Sequence, residues 1–315
     1  MIAQRDVFLT ALFEKAQNDK DIVLISVDMG APSLDRWRSE LPEQFLFAGI
    51  SEQNAINVAA GLSASGKKVY VYFMAAWAAR CFEQVRYSCA MAKNPITILG
   101  NGVGLGYAPA GPAHEPNEDI AYMRCINGIE VHCPPNGKVI EGLVQKTLDI
   151  PKLRYIRLER KYAAAVEDAY AHGFPDDSSC HVVTTPAKKD KKKAVAIVSC
   201  GYMLGRAIRL HNNLNENGFT SSVIDLHCVK PIDESLKNNL QDYTHVITIE
   251  EQTLDGGLGS AVCEVICDAN LGKKVLRLGL PERFIFENGN RDQLLDANGL
   301  STESIFDKAI GFLGA

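Results

Sequence analysis

The stretch Ile22-Val23-Leu24-Ile25-Ser26-Val27 decides the fold. It is short, rich in β-branched residues, and apolar at consecutive rather than alternate positions. A strand with one face in water alternates, so this pattern predicts a strand buried on both faces, as in a parallel sheet. Just before it, residues 7–16 place apolar side chains on one face at helical spacing, which predicts a helix that packs nearby.

Further short apolar runs follow, each separated from the next by a helical stretch. The runs cover residues 45–47, 69–73, 96–99 and 129–131, and the helical stretches lie near residues 52–65, 77–93, 117–126 and 136–148. Parallel strands require crossover connections, which helices usually supply. The alternation therefore predicts a doubly wound α/β domain over residues 1–165.

The pattern breaks at residues 166–193, where we predict a linker. Residues 176–179 and 188–193 are polar without periodicity. The lysines in 188–193 have no interleaved aromatic residues, so a solvated segment is favoured over a nucleic-acid patch. Strand and helix patterns then resume, which predicts a second, smaller α/β domain over 194–315. Its strand runs are 194–198, 222–226, 246–249 and 275–278, and its helices lie near 203–217, 258–270 and 301–313.

Composition excludes several classes of protein. The 315 residues include 33 basic and 38 acidic ones, a net charge of −5, so no nucleic-acid partner is expected. No apolar run approaches the roughly 20 residues needed to span a bilayer, and the first residues do not resemble a secretory signal. Nine cysteines are scattered along the chain without a CxxC spacing, which favours free thiols and a cytoplasmic location.

Ser51 and Glu52 stand where a predicted strand ends and a predicted helix begins. One interpretation is structural, because serine followed by an acid is a favourable helix start. The other is functional. Residues 55–62 are apolar almost all round, so this helix should lie deep, and a carboxyl group at its buried tip is costly to ionise unless something pairs with it. Such carboxyl groups serve in proton transfer.

Residues 100–116 form a loop rich in glycine and proline that follows a predicted strand. Ligands of open α/β sheets bind at the carboxyl ends of strands, where this loop should lie. His114 in this loop is either a donor or base near neutral pH, or a structural residue. A second glycine-rich segment, 256–260, opens a helix. Phosphate binding is one interpretation, but close packing of the helix on a strand is favoured.

Five motifs of the first half, in order, resemble the pyrimidine-binding domain of transketolases. They are Val27-Asp28-Met29, Gly49-Ile50-Ser51-Glu52-Gln53-Asn54, Phe82-Glu83-Gln84-Val85-Arg86, Gly111-Pro112-Ala113-His114-Glu115-Pro116 and Pro134-Pro135-Asn136. In the second half, segments 229–233, 250–251 and 256–261 resemble the transketolase C-terminal domain. The resemblance implies two doubly wound α/β domains, a pyrimidine-binding thiamine-diphosphate fold followed by a transketolase C-terminal domain. It is closest to the C-terminal subunit of split transketolases, with 1-deoxyxylulose-5-phosphate synthase as a near relative.

The resemblance also implies an activity, cofactors and a partner. Transketolases move a two-carbon ketol unit between a ketose and an aldose, with thiamine diphosphate and Mg²⁺ held between a pyrimidine domain and a diphosphate domain of another chain. The diphosphate domain carries a GDG motif, which this sequence lacks. The resemblance therefore implies a separate N-terminal transketolase subunit as partner, self-association into a heterotetramer, and a sugar or sugar-phosphate-like substrate.

Three residues match family positions at the cofactor or the substrate, and two aromatic residues are candidates for a fourth role. Glu52 matches the glutamate that binds the aminopyrimidine nitrogen and promotes the reactive tautomer. His114 matches the histidine that contacts the substrate near the thiazolium. Asp28 matches a cofactor-side carboxylate. The family stacks a phenylalanine on the pyrimidine where this chain has alanine, so Phe73 or Trp77 is expected to take over that role.

Substrate contacts match only in part. Ser33 and Arg160 match family phosphate contacts, and His114 is also expected at the substrate. A phosphate-binding histidine of the family falls near Gly100, and an aspartate that recognises a substrate hydroxyl falls near Ala110. Because of these departures, the resemblance does not identify the aldose that accepts the ketol unit. It also does not decide whether the substrate carries a phosphate, a sulfonate or neither. No metal ligand is expected on this chain.

Two alternatives stay open beside a split transketolase. One is another thiamine-dependent half-enzyme, either like 1-deoxyxylulose-5-phosphate synthase or like the beta subunit of a 2-oxoacid dehydrogenase. The dehydrogenase subunit usually has threonine before the glutamate, where this chain has Ser51, and it lacks the loop motif at 111–116. The other alternative is a non-catalytic regulatory homologue, which the presence of both Glu52 and His114 disfavours.

Overall fold

Two sheets, each flanked by helices, organise the residues that the computed structural model describes, which are 3–159, 166, 170, 178–185 and 194–314. The strands are β1 (Ile22–Ser26), β2 (Phe45–Phe47), β3 (Lys68–Met74), β4 (Ile96–Asn101), β5 (Glu130–His132), β6 (Arg154–Leu158), β7 (His181–Thr184), β8 (Ala194–Ser199), β9 (Thr220–Asp225), β10 (Cys228–Lys230), β11 (His245–Thr253) and β12 (Lys274–Leu280). The helices are α1 (Gln4–Ala16), α2 (Leu34–Glu40), α3 (Glu52–Ala64), α4 (Phe82–Gln84), α5 (Asp119–Arg124), α6 (Gly137–Asp149), α7 (Leu204–Glu216), α8 (Glu234–Leu240), α9 (Leu258–Asp268), α10 (Arg291–Leu295) and α11 (Thr302–Gly314).

The first sheet has the strand order β10-β5-β6-β4-β3-β1-β2. Its neighbouring strands pair in parallel, except that β10 runs antiparallel to β5. β1 lies between β2 and β3, and all five of its residues are buried. The strand buried on both faces that the apolar run predicts is therefore confirmed, because helices cover both sides of a parallel sheet.

The second sheet has the order β12-β11-β8-β9-β7 and is parallel apart from its edge strand β7. β7 lies inside the segment 166–193 that was predicted as a linker, so that part of the prediction is corrected. Its four residues are only partly buried, and a short half-polar edge strand leaves little periodicity in the sequence. The other linker residues, apart from 166, 170 and 178–185, lie outside the described part of the chain.

β10 belongs to the second half of the sequence but pairs with β5 of the first sheet. Next to it, the backbone N–H of Cys133 donates to the carbonyl oxygen of His227 at 2.7 Å. The Lys230 ammonium donates to the carbonyls of Arg124 and Ile126, both at 2.6 Å. Three residues of the predicted second domain, β10, therefore also complete the first sheet.

β6 was not predicted, and the reason is its charged residues. Its sequence, Arg-Tyr-Ile-Arg-Leu, is buried at every position. Arg157 lies 2.8 Å from Asp119, and Arg154 lies 2.7 Å from Glu130, both through the arginine Nε. Arginine is rarely fully buried unless it is paired, so the sequence of this strand resembles that of an exposed segment.

The predicted helix near 77–93 is also different in the structure. Residues Ala75–Cys81 form a 3₁₀ segment, α4 adds one helical turn, and Val85–Met91 form a π-helix. The chain therefore leaves β3 in a tight, irregular helix. That segment carries Trp77 and Arg80, which the site described below brings together.

The start of α9 shows how the glycine-rich segment 256–260 is used. The carboxylate of Glu250 accepts the backbone N–H groups of Leu258 at 2.6 Å and Gly259 at 2.8 Å. The carboxylate of Glu250 thus occupies the place at the start of α9 where a bound phosphate would accept these N–H groups. This supports the interpretation that the glycines serve close packing rather than phosphate binding. Burial raises the pKa of Glu250 to about 7, although the two N–H donors act in the opposite direction.

Replacing Gly259 by alanine should destabilise the chain. The new Cβ would lie 2.7 Å from the Thr248 hydroxyl oxygen and 2.8 Å from a Glu250 carboxylate oxygen, and overpacking of this kind costs about 1–3 kcal/mol. Gly311→Ala in α11 is the matched control, because nothing lies within 4 Å of the new Cβ there. It should be neutral or stabilising by up to about 1 kcal/mol. Urea unfolding of both variants tests this, and equal midpoints would contradict it.

Candidate active site

Four loops meet at one edge of the first sheet. The strands β4, β3, β1 and β2 are parallel neighbours in that order, so the segments that follow them lie at a common carboxyl edge. Asp28 follows β1, Glu52 follows β2, Trp77 follows β3, and His114 lies in the loop after β4. The predicted location of the loop 100–116 at the carboxyl edge is confirmed.

Glu52 is the first residue of α3 and only 3% exposed. One of its carboxylate oxygens, Oε2, is buried and accepts no hydrogen bond from the described residues. The guanidinium Nη1 of Arg80 lies 3.2 Å from this oxygen, while the Arg80 side chain is half-exposed. A carboxylate buried in this way needs a nearby cation, and Arg80, which has no counterpart in the sequence motifs, provides it.

Ser51 occupies the N-cap position of α3 without capping it through its side chain. Its hydroxyl donates instead to the carbonyl oxygen of Ala48 at 2.6 Å. The prediction that Ser51 caps the helix through its side chain is therefore wrong. The serine fixes the turn before the helix, and the glutamate lies at the positive end of the helix dipole.

His114 lies against Trp77. The two ring centroids are 5.5 Å apart and the ring planes meet at 63°, close to an edge-to-face contact. The Nδ1 atom of His114 is buried and has no hydrogen-bond partner among the described residues. Trp77 and Arg80 both belong to the 3₁₀ segment Ala75–Cys81. This one segment therefore contacts both residues that were predicted to be catalytic, His114 and Glu52.

Phe73 does not fit the stacking role that was considered for it. It lies within β3, is 0% exposed, and packs in an apolar cluster with residues of α3 such as Ile56 and Ala59. A ring with no exposed surface offers no face to a ligand. Trp77 is only partly buried and lies beyond the end of the strand, so we retain it as the candidate and discard Phe73.

Ser33, one of the predicted substrate contacts, lies beside α1. The Ser33 hydroxyl donates to Asp6 Oδ1 at 2.8 Å, and the Nε of Arg5 lies 3.5 Å from Asp6 Oδ2. Arg5 thus brings a guanidinium close to Ser33, which sequence reasoning missed because no spacing connects α1 with this loop. Asp28 is exposed at the end of β1, with a left-handed backbone (φ 42°). Arg160 lies outside the described residues.

The second sheet anchors the loop that carries His114. The backbone N–H of Leu105 donates to Glu251 Oε1 at 2.9 Å. Arg291 pairs with Glu251 and, at 2.7 Å, with Glu159, the residue that follows β6. Gly104 has φ 54°, and a Cβ there would lie 2.6 Å from the Glu251 carboxyl carbon. Only glycine fits this close approach, so the position of the loop depends on both domains.

Glu115, the residue after His114, is buried without compensation. It is 6% exposed, and neither carboxylate oxygen accepts a hydrogen bond from the described residues. Burial, followed by the nearby charges of Glu251 and Glu287, raises its pKa to about 7. Sequence reasoning missed this residue, although an acid between a histidine and a proline in a largely apolar loop was a signal.

No metal site or membrane-spanning helix is found in the part of the chain that the structure describes. Histidine, cysteine, aspartate and glutamate side chains do not gather there in groups of three that could hold a metal ion. None of the helices within those residues has the length and apolar character to cross a bilayer.

Comparisons with known proteins agree across the whole chain. Residues 1–164 match the family model for the transketolase pyrimidine binding domain, and residues 186–305 match that for the transketolase C-terminal domain. The chain is 33% identical to one of the subunits of apulose-4-phosphate transketolase from Phocaeicola vulgatus, over 99% of this chain and 98% of the relative. It is 30% identical to 1-deoxy-D-xylulose-5-phosphate synthase from Aquifex aeolicus, over 96% of this chain but only 47% of the synthase.

A solved structure gives the same result. A split gene transketolase, described as an inactive beta4 tetramer, has a TM-score of 0.87 at 29% identity and covers 100% of this chain and 99% of its own. The two doubly wound domains predicted from the sequence are thereby confirmed.

Glu115→Gln should stabilise the chain in a pH-dependent way. Because the pKa of Glu115 is raised from 4.5 to about 7, the folded chain holds a proton that the unfolded chain releases above pH 4.5. The free energy of unfolding therefore falls as the pH rises from about 4.5 to 7, by at most about 3 kcal/mol, because the folded chain must then bury the ionised Glu115. Glutamine mimics the protonated acid, so the variant should match the wild type at pH 4 and exceed it at pH 8.

Urea unfolding at both pH values measures this difference. Glu303→Gln, at an exposed acid of α11, is the control and should give no pH-dependent difference. A gain in the Glu115 variant that is the same at both pH values would show that its carboxylate is not the cause.

Proposed function

The chain belongs to the transketolase family, as its motifs predict, and from this premise we propose that it is one subunit of a thiamine-diphosphate-dependent transketolase. In this proposal the assembled enzyme moves a two-carbon ketol unit from a ketose to an aldose. The observation that carries the proposal is the carboxylate of Glu52, 3% exposed at the tip of α3, with Arg80 as its counter-charge. It lies at the same sheet edge as Trp77 and His114.

The residues at this edge fit the aminopyrimidine half of thiamine diphosphate. Such a ring needs a carboxylate for its ring nitrogen, an aromatic face and a polar group near the reacting carbon. Glu52 Oε2 and His114 Nδ1 are both buried without a hydrogen-bond partner among the described residues. Trp77 is partly buried beside them. When bound, the cofactor supplies a nucleophilic carbon that carries the ketol unit.

Glu52 would hold a proton at the aminopyrimidine ring nitrogen. A hydrogen bond between a buried carboxylate and a charged partner contributes about 1.5–3 kcal/mol. Arg80 lies 3.2 Å from Oε2 and offsets the cost of keeping this carboxylate ionised in the interior. Because the Arg80 side chain is half-exposed, its charge stays solvated while its guanidinium reaches the buried oxygen.

His114 would contact the reacting part of the substrate. Its ring packs against Trp77, and its loop is held by the hydrogen bond from Leu105 to Glu251. A histidine fixed in this way can donate a hydrogen bond or accept a proton near neutral pH. Asp28, exposed at the end of β1, would lie on the cofactor side of the same edge.

Ser33 and Arg160 remain the proposed contacts for an anionic group on the substrate, and Arg5 joins them through Asp6. An arginine fork suits a phosphate or another oxyanion. The relative from P. vulgatus is named for a sugar phosphate, which favours a phosphorylated substrate here.

A separate partner would hold the diphosphate and Mg²⁺. The chain lacks a GDG motif. The P. vulgatus relative is itself named as one subunit of its transketolase, and the similar solved structure is described as a split gene transketolase in an inactive tetramer. Both support an N-terminal partner subunit and self-association of this chain.

The isolated chain should bind thiamine diphosphate only weakly and show no ketol transfer, because it provides half of the cofactor site. Titration calorimetry with thiamine diphosphate and Mg²⁺, and assays against a panel of ketoses, measure this. Addition of the N-terminal subunit should create turnover. Micromolar binding of the cofactor by the chain alone would contradict the half-site. Turnover of pyruvate instead of ketoses by the pair would favour a synthase-like reaction.

Glu52→Gln should suppress turnover of the assembled enzyme and leave assembly intact. The amide has nearly the same shape but cannot hold the proton, and the loss of a bond worth about 1.5–3 kcal/mol lowers the rate tenfold to a few hundredfold. Steady-state kinetics of the pair, with size-exclusion chromatography for assembly, measure both. Glu43→Gln, at an exposed acid of the same domain, is the control. Wild-type rates in Glu52→Gln would remove Glu52 from the mechanism.

A further inference from the structure

The strand β12 forms one edge of the second sheet, and its outer side is open. The sheet has the order β12-β11-β8-β9-β7, so among the described residues only β11 lies beside it. With seven residues, Lys274–Leu280, β12 is the longest of the four strands at the edges of the two described sheets. An uncovered edge of this length is a template for pairing with a further strand.

The backbone groups that point outwards from β12 belong to its odd-numbered residues. The N–H of Lys274 donates to the carbonyl oxygen of Thr244 at 3.2 Å, so the backbone of Lys274 faces β11. In a strand the N–H and C=O groups of successive residues point to alternate sides. Those of Val275, Arg277 and Gly279 therefore point away from the sheet, to the side where no strand of the described residues lies.

A cavity of about 480 Å³ lies along this open side. Its lining includes the consecutive residues 276–282, together with Leu254 and Lys308. Because successive strand residues point to opposite faces of a sheet, a cavity lined by all of them lies beside the strand and not over one face. The edge is therefore accessible along most of its length in the part of the chain that the structure describes.

The usual protection of an edge strand is weak in β12. Natural edges often carry charged side chains that keep other strands away. Between residues 275 and 280 the strand has one charged residue, Arg277. Its guanidinium donates to the carbonyl oxygen of Leu254 and to the hydroxyl of Ser260, both at 3.0 Å. The charge of Arg277 is thus held toward β11 and α9, and it does not shield the outer side of the strand.

The sequence of β12 is complementary to itself when it is read in the opposite direction about Leu278. In an antiparallel pair with this centre, Lys274 lies opposite Glu282 of the second copy, and Leu276 lies opposite Leu280. Lys274 and Glu282 are both exposed, so their side chains are available for such a pair. Opposite charges and apolar side chains at facing positions stabilise antiparallel strands.

The same register brings the outward backbone groups together. Arg277 lies opposite Gly279 of the second copy, and the N–H and C=O groups of both residues point outwards, so each such pair exchanges both of its hydrogen bonds. Gly279 has no side chain, which leaves room for the stem of Arg277 on that face. If the centre were Arg277 instead, two arginines would face each other, and like charges at facing positions are destabilising.

We propose that two copies of this chain associate through β12, which pairs antiparallel with itself about Leu278 and joins their second sheets into one. A surface that contacts its own copy has two-fold symmetry and closes at a dimer. The inference rests on the proposed function only for the self-association of the chain, and it names the surface through which the copies meet. The contact uses none of the residues of the candidate active site.

Sedimentation equilibrium of the full-length chain over a concentration series tests this pairing. Lys274→Glu and Glu282→Lys each place like charges opposite each other at both ends of the contact, so each should weaken self-association about tenfold. The double variant restores opposite charges, and its dissociation constant should return to within about threefold of the wild type. Glu43→Lys, at an exposed acid of the first domain, is the control and should have no effect.

Hydrogen exchange of residues 274–280 provides a second measurement on the same proteins. In the wild type this segment should exchange more slowly at high than at low protein concentration, because the outward N–H groups are then paired. The difference should be much smaller in Lys274→Glu. Val275→Pro removes one outward N–H without changing a charge, and it should also weaken self-association.

Three results would overturn the proposal. They are a monomer at concentrations up to about 100 µM, association that neither single variant weakens, and a double variant that associates no better than the single ones. Weaker assembly with the N-terminal subunit but unchanged self-association in Lys274→Glu would also overturn it, because the edge would then belong to that subunit. Ketol transfer by the wild-type pair tests the proposed function separately, since failure of that assay leaves the sedimentation result intact.

Discussion

Buried carboxylates set the constraint on which this structure depends, because each one must be compensated where water is excluded. Arginine does this repeatedly: Arg80 for Glu52, Arg157 for Asp119, Arg154 for Glu130, and Arg291 for both Glu159 and Glu251. Glu250 is compensated differently, by two backbone N–H groups at the start of α9. These pairs connect strands, loops and domains that apolar packing alone would leave free to slide. Within the described part of the chain Glu115 is an exception, and its carboxylate is correspondingly costly to ionise.

The same constraint organises the candidate active site. The segment Ala75–Cys81 provides Arg80 for the carboxylate of Glu52 and Trp77 for the ring of His114, so one irregular stretch sets the surroundings of both predicted catalytic residues. The loop of His114 is fixed in turn by Glu251 of the second sheet. The second half of the chain therefore reaches this loop through the carboxylate of Glu251, which Arg291 pairs in turn. Under the proposed function, another polypeptide would hold the phosphates of the cofactor.

The fold was predictable where a single physical signal dominated. The apolar run of β1 predicts that this strand is buried on both faces. The glycines and prolines around His114 predict a loop at the carboxyl edge of the sheet. Prediction failed where tertiary contacts override the local pattern. The strand β6 was not predicted because its arginines are compatible with burial only through partners distant in the sequence, and three residues of β10 are too few to show which sheet they join. The motif at Glu52 identified the acid but not Arg80, because two residues so far apart in the sequence carry no common spacing. Phe73 was a reasonable candidate by residue type, but its place inside a strand buries it.

Because of the strand β10, the first sheet includes residues from both halves of the chain. It covers the edge of β5, so a fragment that ended after the first domain would expose the N–H and C=O groups of that edge, and exposed edges promote association between chains. Recombination of this first domain with the C-terminal domain of another relative would succeed only if the donor carried an equivalent of residues 228–230 at the right distance. A fragment that keeps this edge covered must therefore extend at least to residue 230.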